Sequence, residues 1–235
     1  MENQKLLFLD IETVSGSPDY EQLNDRWKDL WATKSRFMAL QHPDQSPGQL
    51  YSDRAGIFAE FGRIVCISIG YFNGATFRVK SFTGEEGALL REFFNLVGRH
   101  FSDPRQHGFC GHNIREFDLP YLCRRAVIHQ IEIPAILQLS GRKPWETNYI
   151  VDTLELWKFG DVKNFTSLDL LAACLGLPTS KSDISGKDVG KVFWKENDVN
   201  RIAQYCEKDV VLTARVYLRL AGKPALDDAL VEYVD

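Results

Sequence analysis

The sequence predicts an α/β domain built on a central mixed sheet with helices on both faces, and three observations carry that expectation. Two apolar strand patterns flank an Asn-Gly pair, which marks an antiparallel hairpin. Later short apolar runs alternate with segments of helical period, the pattern of parallel crossovers. Hydrophobic residues make up 44% of the 235 positions, enough for one sizeable core. One domain is therefore expected over 1–235, carrying an insertion at about 13–62.

The elements follow in order. KLLFLDIET (5–13) opens as a buried strand. GRIVCISIGYF (62–72) is a second strand, and ATFRVKSF (75–82), after Asn73-Gly74, is the third. EEGALLREFFNLVGRHF (85–101) places Leu89, Leu90, Phe93, Phe94 and Val97 on one side of a helix. HGFCGHN (107–113) reads as a short strand, and FDLPYLCRRAVI (117–128) as a helix whose first turn tolerates Pro120. YIVDTL (149–154) is another strand. Thr166 is expected to cap SLDLLAACL, with Asp169 completing a capping box and Gly176 and Pro178 ending it. A last long helix is expected from about Asn197 to Leu220.

Residues 13–62 do not fit a plain loop, because connections of this length carry structure of their own. Leu23, Trp27, Leu30 and Trp31 share a face of a predicted helix, YSDRAGIFAEF (51–61) suggests another, and QHPDQSPGQ between them reads as irregular. The insertion leaves the chain beside Glu12. It either serves whatever Glu12 does or pads the core.

Charge and cysteine usage narrow the class. The net charge is −4, which argues against a non-specific nucleic-acid coat, since such proteins carry a basic footprint. Weak nucleic-acid binding through bound cations stays compatible with it. The five cysteines are scattered with no CxxC pair, which reads as reduced thiols. MENQKLLFLD lacks the basic region and small-residue cleavage site of a leader, and no apolar run reaches membrane-spanning length. A cytoplasmic protein is expected.

The chemistry begins in the first strand. Alternation puts Asp10 and Glu12 on one face, with Cα atoms roughly 6–7 Å apart. At an effective dielectric of about 20 two such charges repel by roughly 2–3 kcal/mol. Either the strand end is solvated, one carboxyl protonates, or a divalent cation sits between them. Asp118 follows a later strand, where it can also cap a helix. Tyr205 and Asp209, four apart on the last helix, face one way while Glu207 points elsewhere. Phe117 is placed either to stack on a base or to pack in the core. Asn113 either contacts substrate or satisfies a strand end. Asp152 reads as structural, capping the turn after it, and His112 as a satisfied neutral histidine. Lys181–Arg201, with five basic and four acidic residues, is too balanced to read as a phosphate track.

Taken together, FLDIET, NIREFD and YCEKD, in this order and these contexts, resemble the three motifs of the DEDD exonuclease superfamily in its tyrosine-bearing branch. The likeness is to stand-alone domains related to the proofreading exonuclease of family B DNA polymerases. It covers roughly Lys5 to Leu220, and SLDLLAACLGLP fits it too; the insertion fits least. The resemblance implies a ribonuclease H-like fold and a two-metal reaction that releases nucleoside 5′-monophosphates from a 3′ end of nucleic acid, with Mg²⁺ or Mn²⁺ as cofactor. It implies that Asp10 bridges both ions, that Glu12 and Asp209 complete the nucleophile side, and that Asp118 serves the leaving-group side. Tyr205 would orient the attacking water, and Phe117, Asn113 and Thr13 would meet the substrate. Single-stranded DNA is the expected substrate. Two other readings stand beside it: a catalytically silent nucleic-acid-binding module on the same fold, and a phosphodiesterase for short oligonucleotides.

Overall fold

The computed structural model describes residues 5–179 and 183–234. Six strands form one sheet in the order β5-β4-β1-β2-β3-β6. β1 (Lys5–Ser15) pairs antiparallel with β2 (Gly62–Asn73), which pairs antiparallel with β3 (Thr76–Thr83). β4 (His107–Gly111) joins β1 in parallel, β5 (Ile150–Asp152) joins β4 in parallel, and a short β6 (Val231–Tyr233) adds to β3. The mixed sheet is therefore an antiparallel meander extended by parallel crossovers, as expected. β6 was not anticipated: three residues are too few to show an alternation.

Two cores hold the sheet. On one face α3 (Glu86–His100) and α4 (Asp118–Ile128) bury Leu90, Phe93 and Leu122 against Leu7, Leu9 and Ile11. On the other, α8 (Val199–Leu220) buries Val210, Val211 and Ala214 against Phe8, Phe77 and Val79. The period-two alternation of β1 thus sends odd residues to α3 and α4 and even residues to α8, with Asp10 and Glu12 continuing the even face. The register shifts between Glu12 and Thr13, where Val65 is the extra residue on β2. This bulge lies at the strand end that bears the acids.

The insertion holds its own helices. α1 (Asp25–Gln41) and α2 (Pro47–Arg54) pack Trp31, Leu50, Tyr51, Ala55 and Phe61 into a separate small core. α2 begins inside the stretch expected to be irregular, because Ser46 and Gln49 close a capping box ahead of Pro47. The buried face of α1 is Trp31 and Ser35, while Leu30 and Trp27 are more than 40% exposed. The expected stripe of Leu23, Trp27, Leu30 and Trp31 is thus corrected: α2 meets only one side of α1. Buried Glu86 anchors the insertion's far end. It accepts from Ile64 N–H (2.7 Å) and from Arg125, whose Nη1 reaches Ala59 O (2.8 Å).

Two caps differ from expectation. Ser167, not Thr166, caps α6 (Leu168–Cys174) by accepting from Leu170 N–H, while the carbonyl of Thr166 meets His112 Nε2. Asp118 is the first residue of α4 and not its N-cap, since its carboxyl is turned to β1. Two further helical pieces were not anticipated. α5 (Thr153–Lys158) follows β5 directly, and α7 (Val189–Lys191) runs on into a π-turn at Val192–Glu196. Among the described residues no helix is long and apolar enough to cross a membrane, and all five cysteines are free thiols. Lys181 lies outside the described residues.

Candidate active site

The acids meet where β1 outruns its parallel neighbour. Pairing with β4 ends at Phe8. Beyond that point the β4 side of β1 has no strand beside it, and Ile11 N–H donates instead to Asp118 Oδ1 (3.2 Å). The loop that delivers Asp118 is held from β5: Asp152 accepts from Asn113 N–H (2.8 Å), Arg115 N–H (3.1 Å) and Leu154 N–H (3.0 Å). Asn113 sits at φ 64°, the left-handed turn that starts this loop. Asp152 does cap the following helix, and its second oxygen fixes the approach to Asp118. Arg115 tightens the same corner through Thr147 and Ile150 O. His112 is satisfied by Thr153 and Thr166 O, and burial holds its pKa down.

α8 brings the rest of the site. Tyr205 and Asp209, one turn apart, both line a cleft of about 780 Å³ together with Glu12, Thr13 and Phe117. The Tyr205 hydroxyl hydrogen-bonds the Asp209 carboxylate. Glu207 points away, accepting from Ser81 on β3. Phe117 also packs on Tyr121, ring centres 5.5 Å apart, so it serves the core and the cleft together. Asn113 is not among the cleft-lining residues.

Electrostatics ties the four carboxyls into one group. Burial pushes the Asp10 carboxyl well above the usual range, and the charges of Asp209, Glu12 and Asp118 add to it. Glu12 is raised for the same reasons, with Asp209 its largest charged neighbour. Asp118, only 3% exposed, is raised by burial to about 7. Burial also raises Tyr205, followed by the charges of Asp209, Glu12 and Asp10. Such a crowd of buried and half-buried acids is costly unless protons or cations neutralise it. Ligand atoms of Asp10, Glu12 and Cys206 lie within 4.8 Å of one another. Cys206 was missed as a neighbour of the acids, although it sits inside the YCEKD motif. Burial raises its thiol, which donates to Asp10 Oδ2 (3.2 Å), so it supports a carboxylate and leaves the oxygens as donors. An all-oxygen set of this kind suits Mg²⁺ or Mn²⁺.

Residues 57–228 match the profile of a family described as predicted 3′–5′ exonucleases related to the exonuclease domain of PolB. The chain belongs to that family. The match spans Asp118, Tyr205 and Asp209 and begins after the first motif, so pairing within the sheet is what brings Asp10 and Glu12 to them. The structure is similar to that of the family B DNA polymerase from the hyperthermophilic archaeon Pyrobaculum calidifontis, with a TM-score of 0.56 at 17% identity. That likeness covers 97% of this chain and 27% of the polymerase, and it shows the ribonuclease H-like fold. Comparison with curated proteins finds no match.

Proposed function

We propose that this member of the PolB-related exonuclease family is a metal-dependent 3′–5′ exonuclease acting on single-stranded nucleic acid, DNA foremost, and releasing nucleoside 5′-monophosphates. The carrying observation is that the strand end bearing Asp10 and Glu12 holds the Asp118 carboxyl on Ile11 N–H, beside a cleft that Glu12 lines together with Tyr205 and Asp209. Asp10, Glu12, Asp118 and Asp209 would hold two divalent cations, Asp10 shared between them. When bound, such a pair supplies an activated water and Lewis-acid stabilisation of the departing 3′ oxygen.

The remaining work falls to the protein. With its pKa raised, the Tyr205 hydroxyl stays protonated, which suits it to orient the attacking water and not to remove its proton. Asp209 fixes the direction of that hydroxyl by hydrogen bonding. Ile11 N–H and the Asp152-braced loop hold the Asp118 carboxyl at β1, where it would serve the leaving-group side. Phe117 presents a ring in the cleft on which a terminal base can stack without regard to sequence. Thr13 lines the same cleft, where it would meet the terminal nucleotide.

The test is a time course with 5′-labelled single-stranded DNA and RNA, with Mg²⁺ or Mn²⁺ and with chelator. A ladder shortening from the 3′ end, lost on chelation, is expected. Internal cuts as first products would refute the exonuclease. Cleavage confined to the shortest members of a length series would make it an oligonucleotide phosphodiesterase, and binding without any cleavage a silent module.

A further inference from the structure

The cleft has a basic wall that composition conceals. Lys187, Lys191 and Lys195 recur every fourth residue, the last two on α7 and its π-turn, and all three line the cleft that holds Glu12, Tyr205 and Asp209. The acids of the same stretch are held by partners within it, Glu196 by Lys191 among them. Asp183 pairs with Arg201, Glu196 with Arg201 (2.8 Å) and Lys191 (3.0 Å). Asp188 accepts from Ser185 N–H and Oγ (2.9 and 2.7 Å), and Asp198 caps α8. Among the described residues Lys187 and Lys195 make no ion pair, and both are exposed.

This wall is fixed in place. Val189 and Val192 are buried with Val14 and Tyr205, and Trp194 Nε1 donates to Ser15 O and Oγ (both 3.2 Å) at the end of β1. On the α4 side, the end of α2 and the turn after it contribute Arg54, Gly56 and Ile57 to the same cleft. There Tyr121 Oη donates to Gly56 O (2.8 Å).

We propose that Lys187, Lys191 and Lys195 form a phosphate track for the single-stranded backbone behind the reacting 3′ end, with Lys187 and Lys195 supplying most of the charge. This rests on the exonuclease reading for the identity of the polyanion. Lysines act on phosphates as point charges, so the track is indifferent to base sequence. It offsets the repulsion that an acidic chain would otherwise exert on its substrate.

The experiment measures binding without turnover: anisotropy of a labelled single-stranded oligonucleotide of about a dozen residues, in Ca²⁺, across a salt series. For single strands the slope of log K against log salt is about −0.7 for each phosphate neutralised. Lys187→Ala/Lys195→Ala is expected to flatten the slope by about 1.4 and to weaken binding equally for unrelated sequences. Lys187→Arg/Lys195→Arg should keep the wild-type slope. Lys143→Ala/Lys223→Ala, which removes the same charge outside the cleft, should keep it too. A wild-type slope in the first variant, or equal flattening in the last, overturns the track. If the slopes behave as expected but no variant, wild type included, shortens DNA, the track stands and the exonuclease reading fails.

Discussion

At the scale of single residues, the site separates groups that hold charge from groups that hold direction. Asp10 lies at the centre of the acid cluster, and three other carboxyls raise it beyond what burial does. Asp10→Ala is expected to reduce single-strand degradation to background. Tyr205→Phe removes one oriented hydrogen bond and should cost roughly 10²-fold in turnover while leaving measurable activity. Equal and complete loss in both would make Tyr205 the base. Asp118 adds a pH signature. Its carboxyl, raised to about 7 by burial, keeps its proton in the folded metal-free chain while the unfolded chain ionises near pH 4. The stability it contributes is intact below about pH 4 and is lost as pH rises through about 7. Chemical unfolding of metal-free protein should show stability falling across that window, and Asp118→Asn should make the fall shallower. Identical pH slopes in the two proteins would contradict the burial of Asp118.

At the scale of elements, the local periods were sufficient where an element repeats and insufficient where it does not. β1 to β4 and the helices α3, α4 and α8 were legible because an apolar strand run or a helical stripe marks each. Asp10, Glu12, Asp118, Tyr205 and Asp209 could be singled out because each occupies a strand end, a helix start or a helix face. What could not be read was set by contacts distant in sequence. The side of α1 that is buried depends on where α2 lands. The lysine row looked balanced because a count of charges does not show that Arg201, in the same stretch, takes up Asp183 and Glu196. Asp152 shows a coupling of this kind, since one carboxylate on β5 serves N–H groups of a loop nearly forty residues away. Asp152→Ala leaves three buried or half-buried N–H groups short of an acceptor and should destabilise the fold by about 1–3 kcal/mol. It should also lower turnover, because the loop carries Asp118. Urea unfolding with parallel kinetics checks both. A variant that loses stability but keeps full turnover would separate the loop from the site.

At the scale of the whole molecule, the sheet gathers parts of the chain that sequence keeps nearly two hundred residues apart. β1 supplies two acids, the loop after β4 a third, and α8 a fourth with the tyrosine. The insertion and the π-turn close the cleft around them, which answers why some fifty residues leave the chain beside Glu12: they have a core of their own and still reach the cleft. The direct measurement is anomalous diffraction from a crystal soaked in manganese. Density at two positions between Asp10, Glu12, Asp118 and Asp209 is the predicted result, with both peaks lost in Asp10→Ala. An absence of density among these carboxyls, or a single peak held away from them, would contradict the account.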